Sequence, residues 1–337
     1  MEILPLPDPS APDPAAWTAL EAGAIVVELP SVGSLRITGD DRIAFLHGQL
    51  AHDVRSLPVG GALRTLQLNV KGHALAEMTL HRREQDVHLA VEDGAAAEVA
   101  RRLHDHVVFD QVTIEDLGGV LRTVTLQGPS ALAVVQRAFD VAPPASGFAP
   151  VAFDDATLLV VRSRRSVPGG VDVHVLARQA DAVVRRLVDA GAAIGDVASL
   201  EASRVEAGVP RAGREAGPGV LPQEAGLHDA ISTRKGCYLG QETMARIEAR
   251  AQVRRGLARL TLGEERADLA ADLEHDRAQR GDAAASDVRA GDRVVGRLGT
   301  LVRHPRLGLV ALAVVRSGLE PDATLVAAGR PAAIVRP

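Results

Sequence analysis

Aromatic rings, cysteines, lysines and long apolar runs are all scarce in this chain of 337 residues. Aromatics make up 2% of it: Trp17, Tyr238 and five Phe. Surfaces that stack exposed bases need several such platforms, so their lack argues against an RNA-binding module. Positive charge is not in excess either. The 38 Lys plus Arg against 43 Asp plus Glu leave a net charge of −5, which argues against a broad basic face for duplex nucleic acid. The single cysteine, Cys237, excludes an internal disulfide and a self-contained multi-thiolate metal site. No run of about 18 apolar residues occurs, so no transmembrane helix is expected. The opening MEILPLPDPSAPDP has five prolines and no basic region, unlike a signal or transit peptide. A cytoplasmic protein without a membrane partner or a stable nucleic-acid partner is the expectation.

Only Lys71 and Lys235 are lysines, so arginines supply the other 36 basic residues. A codon bias towards Arg, Ala, Gly and Val explains most of this, because any solvated cation serves on a surface. A lysine that persists can mark a place where a compact ammonium able to lose its proton is of use, which a guanidinium is not.

What is present is an ordinary globular balance, with 46% hydrophobic and 24% charged residues. The prolines favour an extended tail over residues 1–24. Residues 25–38 alternate like strands, broken by Pro30 and Gly33. Asp40 or Asp41 can cap a helix in which Ile43, Leu46 and Leu50 recur at helical spacing. ALRTLQLNVKGHALAEMTL reads as two strands joined at Asn69–Gly72. A strand (QDVHLAV) and a helix (AAAEVARRLHDHVV) follow, and the order is ferredoxin-like. A second such series runs from VLRTVTLQG to a helix ending at Gly191. Residues 199–211 read as a helix, and the C-terminal part as short strands of a small barrel. The expected organisation is α+β: a tail over 1–24, a first α+β module over 25–117, a second over 118–250, and a β-barrel over 251–337 carrying an acidic insertion at 264–290.

Four features stand out chemically. Lys235-Gly236-Cys237-Tyr238-Leu239-Gly240-Gln241-Glu242 holds one of the two lysines, the only cysteine and the only tyrosine. A helix starting near Gly240 places Cys237 at its N-terminus, where the dipole and Lys235 favour a thiolate. The plain alternative is a tight turn with a buried, space-filling cysteine. Asn69-Val70-Lys71-Gly72 is a polar turn that can present Lys71 to an anion, or an ordinary exposed hairpin tip. Glu206, near a helix end, can accept two hydrogen bonds from an amidine-like edge such as a pterin, or pair with Arg204 or Arg211. Arg246, Arg250 and Arg254 fall on one helical stripe suited to phosphates or a polyglutamate tail, or on a solvated face where Glu242 pairs with Arg246.

Taken together, these segments resemble the YgfZ family of folate-binding proteins, relatives of the aminomethyltransferase (T-protein) of the glycine cleavage system. The resemblance spans about residues 25–337. It is carried by KGCYLGQE at 235–242, with FLHGQLAHDV at 45–54, NVKG at 69–72, RVEAGVP at 204–210 and LPQE at 221–224. It implies a three-domain ring of two ferredoxin-like modules and a barrel around a folate pocket, working as a monomer. It also implies tetrahydrofolate-dependent support of iron–sulfur enzymes, through client or assembly proteins that include tRNA-modifying enzymes. On this resemblance Cys237, Lys235 and Lys71 carry the chemistry. Glu206, Asn69, Lys71, Gln241, Glu242, Arg246 and Arg250 hold the cofactor, tetrahydrofolate or a one-carbon derivative with or without a polyglutamate tail. No metal ligands are assigned. Both lysines are expected to approach the central pocket.

One departure separates the chain from the T-protein. Where aminomethyltransferases have Gly-Gly-x-x-Asp-Asp, this chain has Gly72-His73-Ala74-Leu75-Ala76-Glu77. Ala76 stands at the first aspartate and cannot accept a proton. Glu77, its neighbour on a strand, points to the opposite face. An accessory role is therefore expected ahead of aminomethyltransferase or other one-carbon transfer chemistry.

Overall fold

The computed structural model describes residues 9–244, 254–263, 286–319 and 324–335. Arg246, Arg250 and most of the acidic insertion (264–285) lie outside the described residues. In chain order the elements are α1 (Pro14–Ala22), β1 (Ile25–Glu28), β2 (Gly33–Thr38), α2 (Arg42–Gln49), β3 (Ala62–Leu68), β4 (Ala74–Arg82), β5 (Val87–Val91), α3 (Ala96–His104) and β6 (Thr113–Asp116). They continue with β7 (Leu121–Gln127), α4 (Ala131–Phe139), β8 (Phe148–Phe153), β9 (Ala156–Ser163), β10 (Gly170–Leu176), α5 (Ala180–Asp189), β11 (Ala193–Ile194) and α6 (Val197–Glu206). The last group is β12 (Arg255–Leu262), β13 (Asp287–Ala290), β14 (Arg293–His304), β15 (Gly308–Arg316), β16 (Leu325–Ala327) and β17 (Arg330–Val335).

The two series of elements build sheets of equivalent topology. The first sheet has the order β3-β4-β5-β2-β6 and the second β8-β9-β10-β7-β1-β11. They differ by one insertion: β1 sits between β7 and β11, antiparallel to the former and parallel to the latter. The expected boundary at residue 25 is corrected accordingly, since Ile25–Glu28 belongs to the second sheet. β12 to β17 close into a barrel, as expected of the C-terminal part.

Each sheet has one apolar and one polar face, as alternation demands. On the first, Ala76, Met78, Leu80, Val87, Leu89 and Val91 pack beneath α2 and α3 with Leu46, Val99 and Leu103. On the second, Val124, Leu126, Val171 and Val173 pack beneath α4 and α5 with Val134, Val135, Val183 and Leu187. The residues between them in sequence, such as Glu77, His81, His88, Thr123, Asp172 and His174, turn the other way, and there the two sheets face each other.

Two further expectations need correction. Residues 14–22 are not extended tail but helix. Asp13 caps its N-terminus by accepting from the Ala15 and Ala16 amides, and Pro14 occupies the first turn, where its missing N–H costs nothing. The helix buries Trp17 and Leu20 against β1, α6 and the barrel strands, with Ile25, Val205, Val310 and Leu312. The segment after α6 does not pack as part of the second module. Ala212, Val220, Leu227, Ile231 and Met244 bury themselves with Leu66, Leu68 and Ala74 of the first sheet.

Candidate functional site

The polar faces of the two sheets enclose a cavity of about 610 Å³. Its described lining includes six arginines (64, 162, 164, 165, 204, 211) against four acids (Glu77, Glu92, Asp172, Asp229). Arg165 bridges the sheets. Its guanidinium donates to both Glu92 oxygens (2.7 and 3.1 Å) and to Asp172 (2.8 and 3.0 Å). All three groups are buried, and the guanidinium holds both carboxyls below their ordinary range against the upward push of desolvation. Ser163 donates to Asp172 as well (2.8 Å). Glu77 accepts from Arg64 Nε (2.6 Å) and from the Ala212 amide (2.9 Å), while Arg64 also donates to the Pro210 carbonyl (2.8 Å). This ties the first sheet to the strap leaving α6.

Beside the triad, His81, His88 and His174 bring their rings together, with centroids 4.9–5.1 Å apart. His81 Nδ1 lies 3.1 Å from His88 Nδ1. Burial keeps all three rings neutral, pushing His81 down to about 4 and the other two well below their usual value.

The sequence-predicted residues fall elsewhere. Cys237 is exposed, which removes the reading of a buried, space-filling thiol, and it is not among the cavity-lining residues. Its turn is pinned by Lys235, which is buried and donates from Nζ to the carbonyls of His47, Leu50 (2.5 Å) and His52 (3.3 Å) around the C-terminus of α2. The same ammonium lies 4.6 Å from the Tyr238 ring centroid. Desolvation pushes Lys235 down to about 8. Residues 241–244 are helical, so Cys237 precedes a helix start as expected.

The NVKG turn meets this segment. Asn69 Oδ1 accepts from the Lys71 and His73 amides (2.9 and 3.0 Å), and Gly72 packs against Thr243 and Met244. Gly240 in turn lies against the Asn69 carbonyl, so the two turns adjoin; Lys71, Cys237 and Glu242 are exposed, and Asn69 and Gln241 half-buried. Neither lysine lines the cavity, against the expectation: carbonyl oxygens claim one ammonium and solvent the other. Glu206 also turns away. Its carboxylate sits 3.2 Å from His304 Nε2 and 3.0 Å from Arg306, on the barrel side of α6. Ala76 lies in the apolar core under α2 and α3, and it is Glu77 that faces the cavity.

Sequence reasoning missed the inter-sheet polar groups. Their signal was the polar residue at every second position of otherwise apolar strands, as in Asp172-Val173-His174. Arg204 was read only as a partner of Glu206. It is buried and joins α6 to the barrel, donating to Glu201 (2.9 Å), the Val209 carbonyl (2.7 Å) and Thr300 (2.7 Å).

Two ferredoxin-like sheets enclosing a polar cavity, with a barrel docked alongside, define a three-part α+β protein of the aminomethyltransferase type. The chain belongs to the GCVT N-terminal domain family, whose model matches residues 15–235. It is 26% identical over 268 residues to a putative chloroplastic transferase of Arabidopsis thaliana, covering 74% of this chain and 59% of that protein. It is 25% identical over 244 residues to an aminomethyltransferase of Chlorobium phaeobacteroides, covering 69% of this chain and 67% of that protein. The chain thus spans about three fifths to two thirds of the length of these relatives. The structure of glycine cleavage system aminomethyltransferase T from Bartonella henselae shares the fold, with a TM-score of 0.77 at 18% identity over 96% of this chain and 88% of that one. Among the described residues no helix is long and apolar enough to cross a membrane.

Proposed function

We propose that this chain is a tetrahydrofolate-binding accessory protein of the YgfZ type, supporting assembly or repair of iron–sulfur enzymes, tRNA-modifying ones included. The observation that carries the reading is the Cys237 turn. Its thiol is exposed, outside the cavity, on a segment pinned by Lys235 and by the NVKG turn. A thiol so placed meets a macromolecular partner and not a molecule bound between the sheets. One thiolate cannot hold a cluster, so any cluster contact is shared with the client.

The cavity suits the cofactor in size and charge. A volume of about 610 Å³ falls in the range of sites for drug-sized molecules. The excess of arginines over acids in its lining suits the carboxylates of a folate's glutamate. Arg64 is committed to Glu77 and the Pro210 carbonyl, which leaves Arg162 and Arg164 as the residues that would hold those carboxylates. Glu92 and Asp172 are committed to Arg165, which fits them for binding more than for taking a proton.

The test pairs two measurements on Cys237→Ala. Calorimetric titration with tetrahydrofolate is expected to give unchanged binding. In a deletion strain under oxidative stress the variant is expected not to restore iron–sulfur enzyme activity. Full restoration removes the thiol role, and absence of tetrahydrofolate binding by the wild-type chain removes the cofactor.

One observation favours a second reading, a folate-dependent one-carbon transferase: Glu77 faces the cavity. Purified chain forming methylenetetrahydrofolate from an aminomethylated lipoyl donor, with loss in Glu77→Gln, would establish it in place of the first.

A further inference from the structure

We propose that His81, His88 and His174 form a binding site for a divalent transition-metal ion of the zinc class, in the wall of the inter-sheet cavity. The three side chains come from β4, β5 and β10, and so from both sheets, and all are buried (0%, 2% and 3% exposed). Each offers a ring nitrogen within 4.8 Å of the others. The His81–His88 separation of 3.1 Å already approximates one edge of a tetrahedral site. Zinc–nitrogen bonds of about 2.0–2.1 Å put tetrahedral ligands about 3.3 Å apart. Drawing the third nitrogen in from as far as 4.8 Å to that spacing takes a shift of up to about 1.5 Å.

Three features distinguish this arrangement from packing of rings that happen to be polar. First, two rings are oriented from behind by hydroxyl groups. Ser34 Oγ lies 3.2 Å from His88 Nε2, and Thr123 Oγ1 lies 3.0 Å from His174 Nδ1. Each hydroxyl engages one nitrogen and leaves the other for the cluster, as outer groups around metal-bound histidines do. Second, His81 Nε2 is buried without a hydrogen-bond partner, so no second contact fixes this ring from behind and its turning towards an ion breaks no bond at that nitrogen. Third, the neighbouring charges suit a cation. Arg165, Glu92 and Asp172 together carry one net negative charge beside the rings. Asp172 lies two residues before His174 on the same face of β10.

The chemical class follows from the ligands. Neutral imidazoles suit zinc, copper, nickel and iron, whereas calcium and magnesium demand oxygen. His81 and His174 line the cavity, so the ion faces it. Three histidines with a fourth position open to solvent or to a bound molecule is the arrangement of ions that act on a ligand, not of closed structural sites.

The experiment uses the full chain stripped with a chelator and titrated with Co²⁺, then with Zn²⁺ in competition. The expected result is one ion per chain, with the visible absorption of low-coordinate cobalt, displaced by Zn²⁺. His88→Gln and His174→Gln are expected to weaken binding by at least 100-fold. A His104→Gln/His106→Gln control, altering exposed histidines outside the cluster, is expected to bind as the wild type does. Thr123→Val keeps all three ligands and removes only the hydroxyl behind His174. It is expected to weaken binding 10–100-fold, and it decides the matter if a ligand variant fails to fold. Absence of cobalt binding by the wild type overturns the proposal, as does binding that survives in every cluster variant. The three rings are then a hydrogen-bonded contact between the sheets and nothing more.

Discussion

Lys235 sits where α2 ends, its ammonium among carbonyls that the helix leaves without amide partners. A cation at a helix C-terminus is favoured by the aligned peptide dipoles, but burial works against the charge and pushes this group down to about 8. The sign of the pH effect follows. Between pH 8 and 10.5 the unfolded chain still holds a proton that the folded chain has released, so stability rises with pH in that window. The rise is up to about 1.4 kcal/mol per pH unit. Lys235→Met keeps the apolar stem and removes the titration. In urea unfolding at pH 8 and pH 10, the wild type is expected to gain about 1–3 kcal/mol on the variant at the higher pH. A constant difference would mean that the ammonium keeps its ordinary affinity for protons. The scarcity of lysine thus pointed to a residue with an unusual environment, but its partners are main-chain oxygens of a helix 185 residues away or more, which no local pattern announces.

Two turns far apart in sequence are held together by the absence of side chains. Gly240 has a φ of +85°, and a Cβ there would stand 2.5 Å from the Asn69 carbonyl oxygen and 3.2 Å from Gly72 Cα. Gly240→Ala is expected to cost about 1–3 kcal/mol and to push the Cys237 segment off the NVKG turn. It should fail in the deletion strain as Cys237→Ala does, although the thiol is intact. Hydrogen exchange at the Gly72 amide, which donates to Asn69 O at 2.9 Å, should speed up alongside. Elements of this kind were partly legible. The strands and helices of both modules follow from periodicity, and KGCYLGQE and NVKG stood out by composition. What periodicity leaves open is which face of a strand the helices cover. The alternation in β4 separates Ala76 from Glu77 but does not say which one meets the cavity. Helices α2 and α3 decide it, by burying Ala76 with Met78 and Leu80. Helix α1 escaped notice for a simpler reason: its prolines read as extended chain, while one of them starts the helix.

At the scale of the molecule, the Glu92–Arg165–Asp172 triad is the polar weld between the sheets. Removing its cation alone strands two carboxylates in a buried site, so Arg165→Met is expected to destabilise the chain by about 3–5 kcal/mol. Replacing all three groups (Arg165→Met, Glu92→Leu, Asp172→Leu) removes the unpaired charges and is expected to recover most of that loss. Urea midpoints of the two variants make the comparison. Equal losses in both would show that the weld acts through packing and not through charge. The triad was not legible in the sequence, because its members are 7 and 73 positions apart and meet only once two separate sheets have formed.

The insertion of β1 into the second sheet also sets an order of events during synthesis. Ile25–Glu28 leaves the ribosome long before β7, and longer still before β11, so both of its hydrogen-bonding edges must wait. At about 5–20 residues per second the delay is on the order of ten seconds. The first sheet, whose strands all lie between residues 33 and 116, can close in that time without it. Until Leu121–Gln127 arrives, the nascent chain therefore carries an apolar strand with two open edges, the feature that invites pairing with other chains and that holding chaperones cover.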